Sequence, residues 1–217
     1  MTAEMAGRYT GSTRPVALEK HSLYRKIDRV VAAMAPGRVL EVGCLDGRHL
    51  DELQSRGWAV AGIDIMPQAA NHIVAHDAAL PFPFAREFDL LIAAEVIEHV
   101  VDTDAFLANC AAVLRPGGTL ILTTLNLLFG VNRLRMLIGK TPRFAYAGYH
   151  VRMFVWDDLR EKIERRFAIE RVQGSHVLAG VRRSRLFEVF AALGDRWPTL
   201  AAHFIVTARL RDDGVAA

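Results

Sequence analysis

The feature that most constrains this chain is the stretch RVLEVGCLDGRHL, residues 38–50. Its mostly apolar run 39–42 is typical of a short strand that is buried on both faces of a sheet. Gly43 and Gly47 bracket a tight turn, where a backbone without side chains can approach a ligand closely. A helical pattern follows, for which Asp46 is the predicted N-cap. Strand, turn and helix together predict a small-molecule site at the carboxyl end of a parallel sheet.

A dinucleotide-binding turn is the main alternative interpretation of this stretch. That turn has the pattern G-x-G-x-x-G, whereas here Gly43 and Gly47 are the only glycines, and Leu45 and Arg48 stand at the other two places. Glu41 also puts a carboxylate at the end of the strand, which repels phosphates and suits a cationic ligand. A strand, turn and helix that bind no ligand are the third interpretation of this motif taken alone.

The rest of the chain alternates apolar runs with helical patterns, which predicts a parallel sheet with helical crossovers. The predicted strands after the first are 58–65, 72–79, 87–100, 119–126, 167–174 and 202–210, and the predicted helices besides that of the organising stretch are 18–34, 102–114, 155–167 and 184–197. At 217 residues we expect a single domain spanning 1–217. Within it, residues 1–16 are predicted to be a flexible N-terminus, and residues 127–154 a substrate-covering insertion.

Composition indicates the cellular compartment of the protein and the kind of partner that it binds. The N-terminus has no apolar core segment, no run reaches the roughly 18 apolar residues of a spanning helix, and the two cysteines suggest neither a disulfide framework nor a metal site. We therefore expect a cytoplasmic protein. The net charge of +3 is unevenly spread, because residues 131–185 carry 13 Lys and Arg against 5 Asp and Glu. Such a segment is expected to face something anionic.

Acidic residues follow several of the predicted strands. Asp64 ends the second strand, about 20 residues after the first glycine, which is where an acid reaches a ribose in open α/β folds. A carboxylate suits two vicinal hydroxyls because it can accept hydrogen bonds from both. The alternative is that Asp64 only caps the turn before Pro67. Asp77 ends the third strand, and the fourth leads into the segment Glu95–His99.

Residues 127–149 depart from the pattern of strands and helices. Arginines are interleaved with apolar residues there, and arginine favours bidentate recognition of phosphate or carboxylate groups. Because the segment follows the fifth strand, we expect it to form the wall of the acceptor site, and we predict an anionic acceptor. The alternatives are the solvated face of an amphipathic helix, with Leu134, Leu137 and Ile138 packed below, and docking on a membrane surface. The predicted substrate-binding residues are Arg133, Arg143, Tyr149 and Arg152.

The motifs VLEVGCLDG, GIDI, HDA, FDLLIAAEVIEHV and VLRPGGTLILTTLN, in this order and spacing, resemble the class I S-adenosylmethionine-dependent methyltransferases. The resemblance implies a Rossmann-like, doubly wound α/β fold with a mostly parallel seven-stranded sheet and an antiparallel last strand. Leu45 replaces the middle glycine of the family's turn, for which we expect an adjusted turn and retained binding. The resemblance also implies an S-adenosylmethionine site, formed by Glu41, Gly43, Cys44, Gly47, Asp64, Ile65, Asp77, Ala78 and Glu95.

The second half is similar to ubiquinone-biosynthesis O-methyltransferases and to MetW-like proteins. In the former, and in small-RNA methyltransferases, a Glu-x-x-Glu-His motif binds a metal ion. The resemblance thus implies a divalent cation at Glu95, Glu98, His99 and His150 as one interpretation. The alternative is a helix-terminal acid with a histidine that only shapes the pocket.

Methylation of a hydroxyl also requires a base, and histidine has a suitable ordinary pKa of about 6.5. His99 and His150 are the predicted catalytic residues, and His21 is a third candidate. We therefore predict O-methylation of a small-molecule or glycan-like acceptor. Nucleic acid is not the expected acceptor, because no platform of aromatic and basic residues is evident. An RNA methyltransferase and a non-catalytic, cofactor-binding regulatory partner are the alternative functions, and the sequence predicts no oligomeric state.

Overall fold

The organising stretch forms a strand near the middle of a seven-stranded sheet. The structure is a computed structural model that describes residues 22–67, 72–143, 150–177 and 185–212. The strands are β1 (Arg38–Val42), β2 (Ala59–Asp64), β3 (Ile73–Ala75), β4 (Phe88–Ala94), β5 (Leu114–Leu125), β6 (Phe167–Gly174) and β7 (His203–Leu210).

The strand order is β3-β2-β1-β4-β5-β7-β6. Strands β1 to β5 pair in parallel, and β7 runs antiparallel to both of its neighbours, β5 and β6. The order changes direction between β1 and β4, because β2 and β3 lie on one side of β1 and the later strands lie on the other. The predicted fold class, a mostly parallel seven-stranded sheet with an antiparallel last strand, is confirmed.

Helices cover both faces of this sheet, as the doubly wound fold requires. One face packs on Leu23 and Ile27 of the first helix, and the other packs on Phe106 and Ile163 of later helices. The described residues also form two short 3₁₀ turns, Ile97–His99 and Pro198–Leu200. The helices in the described ranges are α1 (Ser22–Val31), α2 (Arg48–Ser55), α3 (Thr103–Val113), α4 (Gly130–Leu137), α5 (Trp156–Glu164) and α6 (Arg185–Arg196).

Two local predictions were wrong. Residues 127–149 were expected to depart from the pattern of strands and helices, with an amphipathic helix as the alternative; a helix, α4, does form at Gly130–Leu137 and packs through the buried Asn132. The predicted packing was wrong, because Leu134, Leu137 and Ile138 are exposed and the apolar face of α4 is turned to solvent. Gly47 is the N-cap of α2 in place of Asp46, whose side chain instead accepts a bond from the amide of Arg48 at 3.3 Å.

Two further expectations concern the ends of the chain and its membrane relation. Residues 1–16 lie outside the described ranges, so their flexibility stays a prediction, as does the division into one domain with an insertion at 127–154. No helix in the described part of the chain has the length and apolar character needed to cross a membrane.

A buried lysine attaches the first helix to the far end of the sheet. Lys26 of α1 is 3% exposed, and its Nζ donates to the carbonyl oxygens of Gly174 and Ala191 at 2.6 Å each. It also pairs with Oδ1 of Asp195 at 2.8 Å. Burial lowers the pKa of Lys26, while the bond to Asp195 opposes that shift. The three contacts fix α1 against β6 and α6.

Replacing Lys26 by methionine should lower the free energy of unfolding by about 1–3 kcal/mol, since two carbonyls and a carboxylate lose their donor. Urea denaturation followed by circular dichroism measures this change. Arg29→Met lies on the exposed side of the same helix and should change stability by less than about 0.5 kcal/mol. Equal effects of the two substitutions would show that the buried contacts of Lys26 contribute nothing.

Candidate functional site

The candidate site lies at the carboxyl edge of the parallel strands. Val42 of β1 pairs with Ile63 of β2 on one side and with Ala93 of β4 on the other. The chain leaves the sheet in opposite directions on the two sides of β1, so a crevice opens between the loops that follow β1 and β4. In open α/β sheets this is where ligands bind.

The glycine turn forms one wall of that crevice. Gly43 and Gly47 have φ angles of 76° and 72°, values that favour glycine. A Cβ atom on Gly43 would lie 2.6 Å from Cγ2 of Val96, so no side chain fits there unless Val96 moves. Leu45 keeps the same left-handed region with a φ of 47°, although a leucine is strained there. The turn therefore accommodates a leucine in place of the middle glycine, in a left-handed backbone conformation.

Asp64 closes this turn from the end of β2. Its Oδ2 accepts a hydrogen bond from the amide of Leu45 at 2.9 Å, and its Oδ1 accepts one from the amide of Met66 at 2.8 Å. The side chain is half-buried, and each oxygen keeps a further lone pair. The carboxylate is thus held in place by the backbone and can still accept from two hydroxyls.

The other predicted cofactor residues lie around the glycine turn and Asp64. Asp77 is half-buried beyond β3 and accepts from the amide of Ala79 at 2.9 Å, and Ala78 lies beside it. Ile65 is half-buried directly after Asp64. Cys44 is buried beneath the turn, with its Sγ 3.6 Å from the carbonyl oxygen of Ile63. Burial and the charges of nearby carboxylates raise the pKa of this thiol well above its ordinary value.

Glu41 belongs to a buried charge network under the turn. Its Oε1 lies 2.8 Å from Nδ1 of His49, and Nε2 of His49 lies 3.6 Å from Oδ1 of Asp28 on α1. Burial alone lowers the pKa of His49, but the charge of Glu41, its hydrogen bond to Nδ1 and the nearby carboxylate of Asp28 outweigh burial and raise this pKa to about 10. His49 is therefore an imidazolium at neutral pH.

The network leaves one oxygen without a donor. Oε2 of Glu41 is buried and has no hydrogen-bond partner among the described residues. Tyr24 of α1 lies close by, with its ring 5.1 Å from that of His49 in an edge-to-face arrangement. Burial, together with the charges of Glu41 and Glu95, raises the pKa of Tyr24 far above its usual range. Sequence reasoning missed Tyr24 because the helical pattern of α1 marked only its apolar face.

Glu95, at the end of β4, has a backbone conformation that is rare for a residue with a side chain. Its φ is 58°, and its amide donates to both Oγ1 and the carbonyl oxygen of Thr123. Its Oε1 accepts from Oγ1 of Thr123 at 2.9 Å, and its Oε2 lies 3.4 Å from Nε2 of His203. Burial raises the pKa of Glu95 to about 7. Such local strain is typical of functional sites.

His203 is a second residue that sequence reasoning missed. It begins β7, whose antiparallel direction brings its first residue to the carboxyl edge beside Leu125 of β5. Its Nδ1 lies 2.8 Å from Oγ of Ser175, which also accepts from the backbone amide of His203. No signal along the chain marks this residue, since only strand pairing brings it near Glu95.

Glu98 is fully buried and holds the segment that carries His150. Its Oε2 accepts from Oγ1 of Thr124 at 2.9 Å, and its backbone carbonyl accepts from the amide of Val151 at 2.9 Å. Burial and the charge of Glu95 raise the pKa of Glu98 well above the ordinary value. The two carboxyl groups therefore share fewer than two negative charges near neutral pH.

The two predicted catalytic histidines lie side by side. The ring centroids of His99 and His150 are 5.0 Å apart, and both side chains are half-buried. Together with Glu98 they offer ligand atoms that all lie within 4.8 Å of one another, an arrangement that can hold a metal ion. Glu95, the fourth predicted ligand, is not part of this group.

Three of the four predicted substrate-binding residues lie within the described ranges. Arg133 on α4 donates to the carbonyl oxygens of Leu128 and Thr199. Arg152 donates to the carbonyl oxygen of Val101 at 2.7 Å. Arg143 is exposed, and Tyr149 lies outside the described residues, as does His21.

Comparison with known proteins agrees with this geometry. A family model described as a methyltransferase domain matches residues 18–166. Ubiquinone biosynthesis O-methyltransferase from Rhodopseudomonas palustris strain HaA2 is 31% identical over 142 residues, which cover 58% of this chain and 55% of that protein. The human mitochondrial protein of the same name is 33% identical over 106 residues, covering 41% of this chain and 29% of that protein. The chain spans about half the length of the bacterial relative.

Solved structures with low sequence identity share the fold. The 1,6-didemethyltoxoflavin-N1-methyltransferase of Burkholderia thailandensis superposes with a TM-score of 0.64 at 17% identity, covering 96% of this chain and 86% of that one. A putative S-adenosylmethionine-dependent methyltransferase from Listeria monocytogenes gives a TM-score of 0.65 at 12% identity, covering 91% and 100% of the two chains.

The His49 imidazolium makes stability depend on pH in a defined direction. Its folded-state pKa of about 10 lies above the ordinary value of 6.5, so the stabilisation is complete below pH 6.5 and is lost as the pH rises towards 10. The free energy of unfolding should fall by up to about 1.4 kcal/mol per pH unit in this window. Urea denaturation at pH 6 to 9 measures the slope.

His49→Gln provides the control for this slope. Glutamine keeps a donor for Glu41 but has no ionisation, so the variant should be less stable at pH 6 and should lose the steep part of the pH dependence. An unchanged slope in His49→Gln would assign the pH dependence to other groups.

Proposed function

Because the chain belongs to the methyltransferase-domain family whose model matches residues 18–166, we propose that it transfers a methyl group from S-adenosylmethionine to a hydroxyl of a small acceptor. The observation that most supports this proposal is that His99 and His150 lie side by side, at the edge of the sheet where the glycine turn also lies. A hydroxyl loses its proton on methylation, and imidazole is suited to accept it near neutral pH. The names of the ubiquinone-biosynthesis relatives support an oxygen acceptor.

The residues at the crevice fit the cofactor. The open lone pairs of Asp64 suit the two ribose hydroxyls, and the buried, partnerless Oε2 of Glu41 suits an ammonium group. The positive φ angles of Gly43 and Gly47 let the backbone approach the methionine part. When bound, S-adenosylmethionine supplies a methyl group on a positively charged sulfonium, which is already an activated leaving group.

The remaining pocket residues have supporting roles in this proposal. Asp77 and Ala78 border the adenine, since they follow β3 at the same edge of the sheet. Cys44 and Ile65 flank the turn, while Glu95 approaches from the end of β4. These side chains mainly position the two reactants, an effect worth up to about 7–11 kcal/mol of the barrier in favourable cases.

On the acceptor side, His99 is the proposed base and His150 its neighbour. Both rings are half-buried, so the access of water to them is limited. The buried carbonyl of Glu98 holds the segment of His150 through the amides of Val151 and Arg152. Loss of this contact would separate the two imidazoles.

A metal-assisted reaction is the second candidate, favoured by the common geometry of Glu98, His99 and His150. One carboxylate and two imidazoles are ligands for several divalent ions of the first transition row. A bound ion would lower the pKa of the acceptor hydroxyl, which removes the need for a histidine base. In that case the two histidines would bind the metal and would not take up the proton.

The class of acceptor is proposed from charge. Arg133, Arg143 and Arg152 place positive charge around the edge, and their planar groups suit carboxylate or phosphate groups on the acceptor. Arg133 and Arg152 already donate to backbone carbonyls, yet each guanidinium has five N–H donors and keeps some for a ligand. Tyr149 is proposed to stack on the acceptor. A glycan-like acceptor, RNA and a non-catalytic regulatory role are alternatives that an acceptor screen with labelled cofactor would separate.

The cofactor assignment is tested at Asp64. Asp64→Ala removes two charge-assisted hydrogen bonds to the ribose, each worth about 1.5–3 kcal/mol, so affinity for S-adenosylhomocysteine should fall at least about tenfold. Isothermal titration calorimetry measures the affinity. Asp51→Ala removes an exposed acid from the neighbouring helix and should leave it unchanged. Undiminished binding by a folded Asp64→Ala protein would refute the ribose assignment.

Experiments on His99 distinguish a general base from a metal ligand. If His99 is the base, activity should follow one ionisation near neutral pH and should not respond to EDTA. If Glu98, His99 and His150 bind a metal ion, EDTA should abolish activity and a divalent ion should restore it. His150→Ala should then weaken the recovery. His72→Gln is the control, because His72 directly precedes the outer strand β3, which β2 and β1 separate from β4. Full activity of His99→Ala would exclude both roles.

A further inference from the structure

Helix α4 turns its most apolar side chains towards solvent. Leu134, Leu137 and Ile138 are 66%, 81% and 63% exposed. They are spaced three and four residues apart, so they share one face of the helix and its C-terminal turn. A cluster of large aliphatic side chains on one exposed face is unusual, since such residues are exposed singly on most surfaces.

The same segment carries positive charge that no acid balances. No aspartate or glutamate stands between Asp104 and Asp157 in the sequence. Within the described ranges, the cations of this segment form no ion pair with a carboxylate, unlike Arg160 on α5 and Arg165 directly after it. The unpaired cations of the segment are Arg133, Arg135, Lys140 and Arg143.

The exposed face is held firmly in this position. Asn132, on the opposite side of α4, is buried and donates to the carbonyl oxygen of Leu127 at 3.0 Å. Its Oδ1 accepts from the amide of Arg143 at 2.7 Å, and Arg135 donates to the carbonyl oxygen of Thr141 at 2.8 Å. The helix therefore cannot turn its leucines inward without losing these contacts.

We propose that α4 docks on an anionic lipid surface. The aliphatic side chains would enter the boundary between headgroups and acyl chains, while the unpaired cations would contact negatively charged headgroups. Each cation near such a surface adds to binding, and each buried aliphatic group adds a hydrophobic contribution that salt does not screen. The proposal does not depend on methyl transfer.

A neighbouring pair of residues extends this surface. Arg133 donates to the carbonyl oxygen of Thr199, so α4 adjoins the 3₁₀ turn Pro198–Leu200. Trp197, directly before that turn, is 47% exposed, and the guanidinium of Arg196 lies 5.9 Å from its ring centroid. Tryptophan and arginine are both favoured at the interface between membrane and water.

The combination of groups favours lipid over other anionic partners. Nucleic acid would bind the cations, but it has no apolar surface that would bury Leu137 and Ile138. Proteins that bind single-stranded nucleic acid usually stack aromatic side chains on the bases. A lipid surface satisfies both kinds of group at once. Because α4 follows the carboxyl end of β5, docking would bring the candidate site close to the lipid.

Vesicle sedimentation tests the proposal with the full chain. The wild-type protein should bind vesicles of phosphatidylcholine with phosphatidylglycerol, and should bind pure phosphatidylcholine vesicles more weakly. Leu137→Ser/Ile138→Ser and Arg135→Gln/Lys140→Gln should each lower the partition coefficient at least about tenfold. All variants should retain their circular dichroism spectrum and their affinity for S-adenosylhomocysteine, since these side chains are outside the cofactor site.

Matched controls make the outcome specific. Arg160→Gln/Arg165→Gln removes the same formal charge from α5, and Leu80→Ser removes a side chain that is 55% exposed elsewhere, so both should bind vesicles like the wild type. Equal losses in the α5 variant would overturn the proposal in favour of general electrostatic adsorption. Unchanged binding of Leu137→Ser/Ile138→Ser, or no preference for anionic vesicles, would also overturn it.

Discussion

The pairing of a buried imidazolium with two carboxylates is the interaction on which the candidate site depends. His49 joins Glu41 of β1 to Asp28 of α1 while it sits in the first turn of α2. Removing one partner of a buried ion pair costs about 3–5 kcal/mol, because the other charge stays buried. The strand, the glycine turn and the covering helix are therefore fixed to one another by one ring. The same ring sets the position of the free oxygen of Glu41.

A second charge arrangement on the far side of the crevice follows different physics. Glu95 and Glu98 are two nearby carboxyl groups, and burial raises the pKa of both. Under the turn the carboxylates are compensated by a cation, whereas here they are compensated by hydroxyl donors and by retained protons. The crevice thus has a fixed charge on the side of the glycine turn and an adjustable charge on the side of β4. This division suits a reaction that starts from a cationic donor and releases a proton.

The sequence predicted those parts of the fold that depend on local patterns. Apolar runs located the strands, and the ends of β1 and β2 identified Gly43 and Asp64, because a parallel sheet brings such ends to one edge. For α4 it offered an amphipathic helix only as an alternative and wrongly expected its apolar face to be packed, because periodicity shows which residues share a face but not what covers that face. Tyr24 and His203 were missed for another reason. Helix packing and antiparallel pairing bring them to the site, and neither leaves a mark along the chain.

Cys44 gives the turn a particular chemical durability. Thiols react with alkylating agents and peroxides as thiolates, and burial together with the charges of Glu41 and Asp64 keeps this thiol protonated. Its sulfur also fills the space beside Gly62, where an added Cβ would lie 2.6 Å away. Reagents can therefore reach Cys44 only when the turn opens. The rate at which Cys44 is labelled therefore reports how often the pocket opens locally, and a ligand bound on the turn would lower that rate.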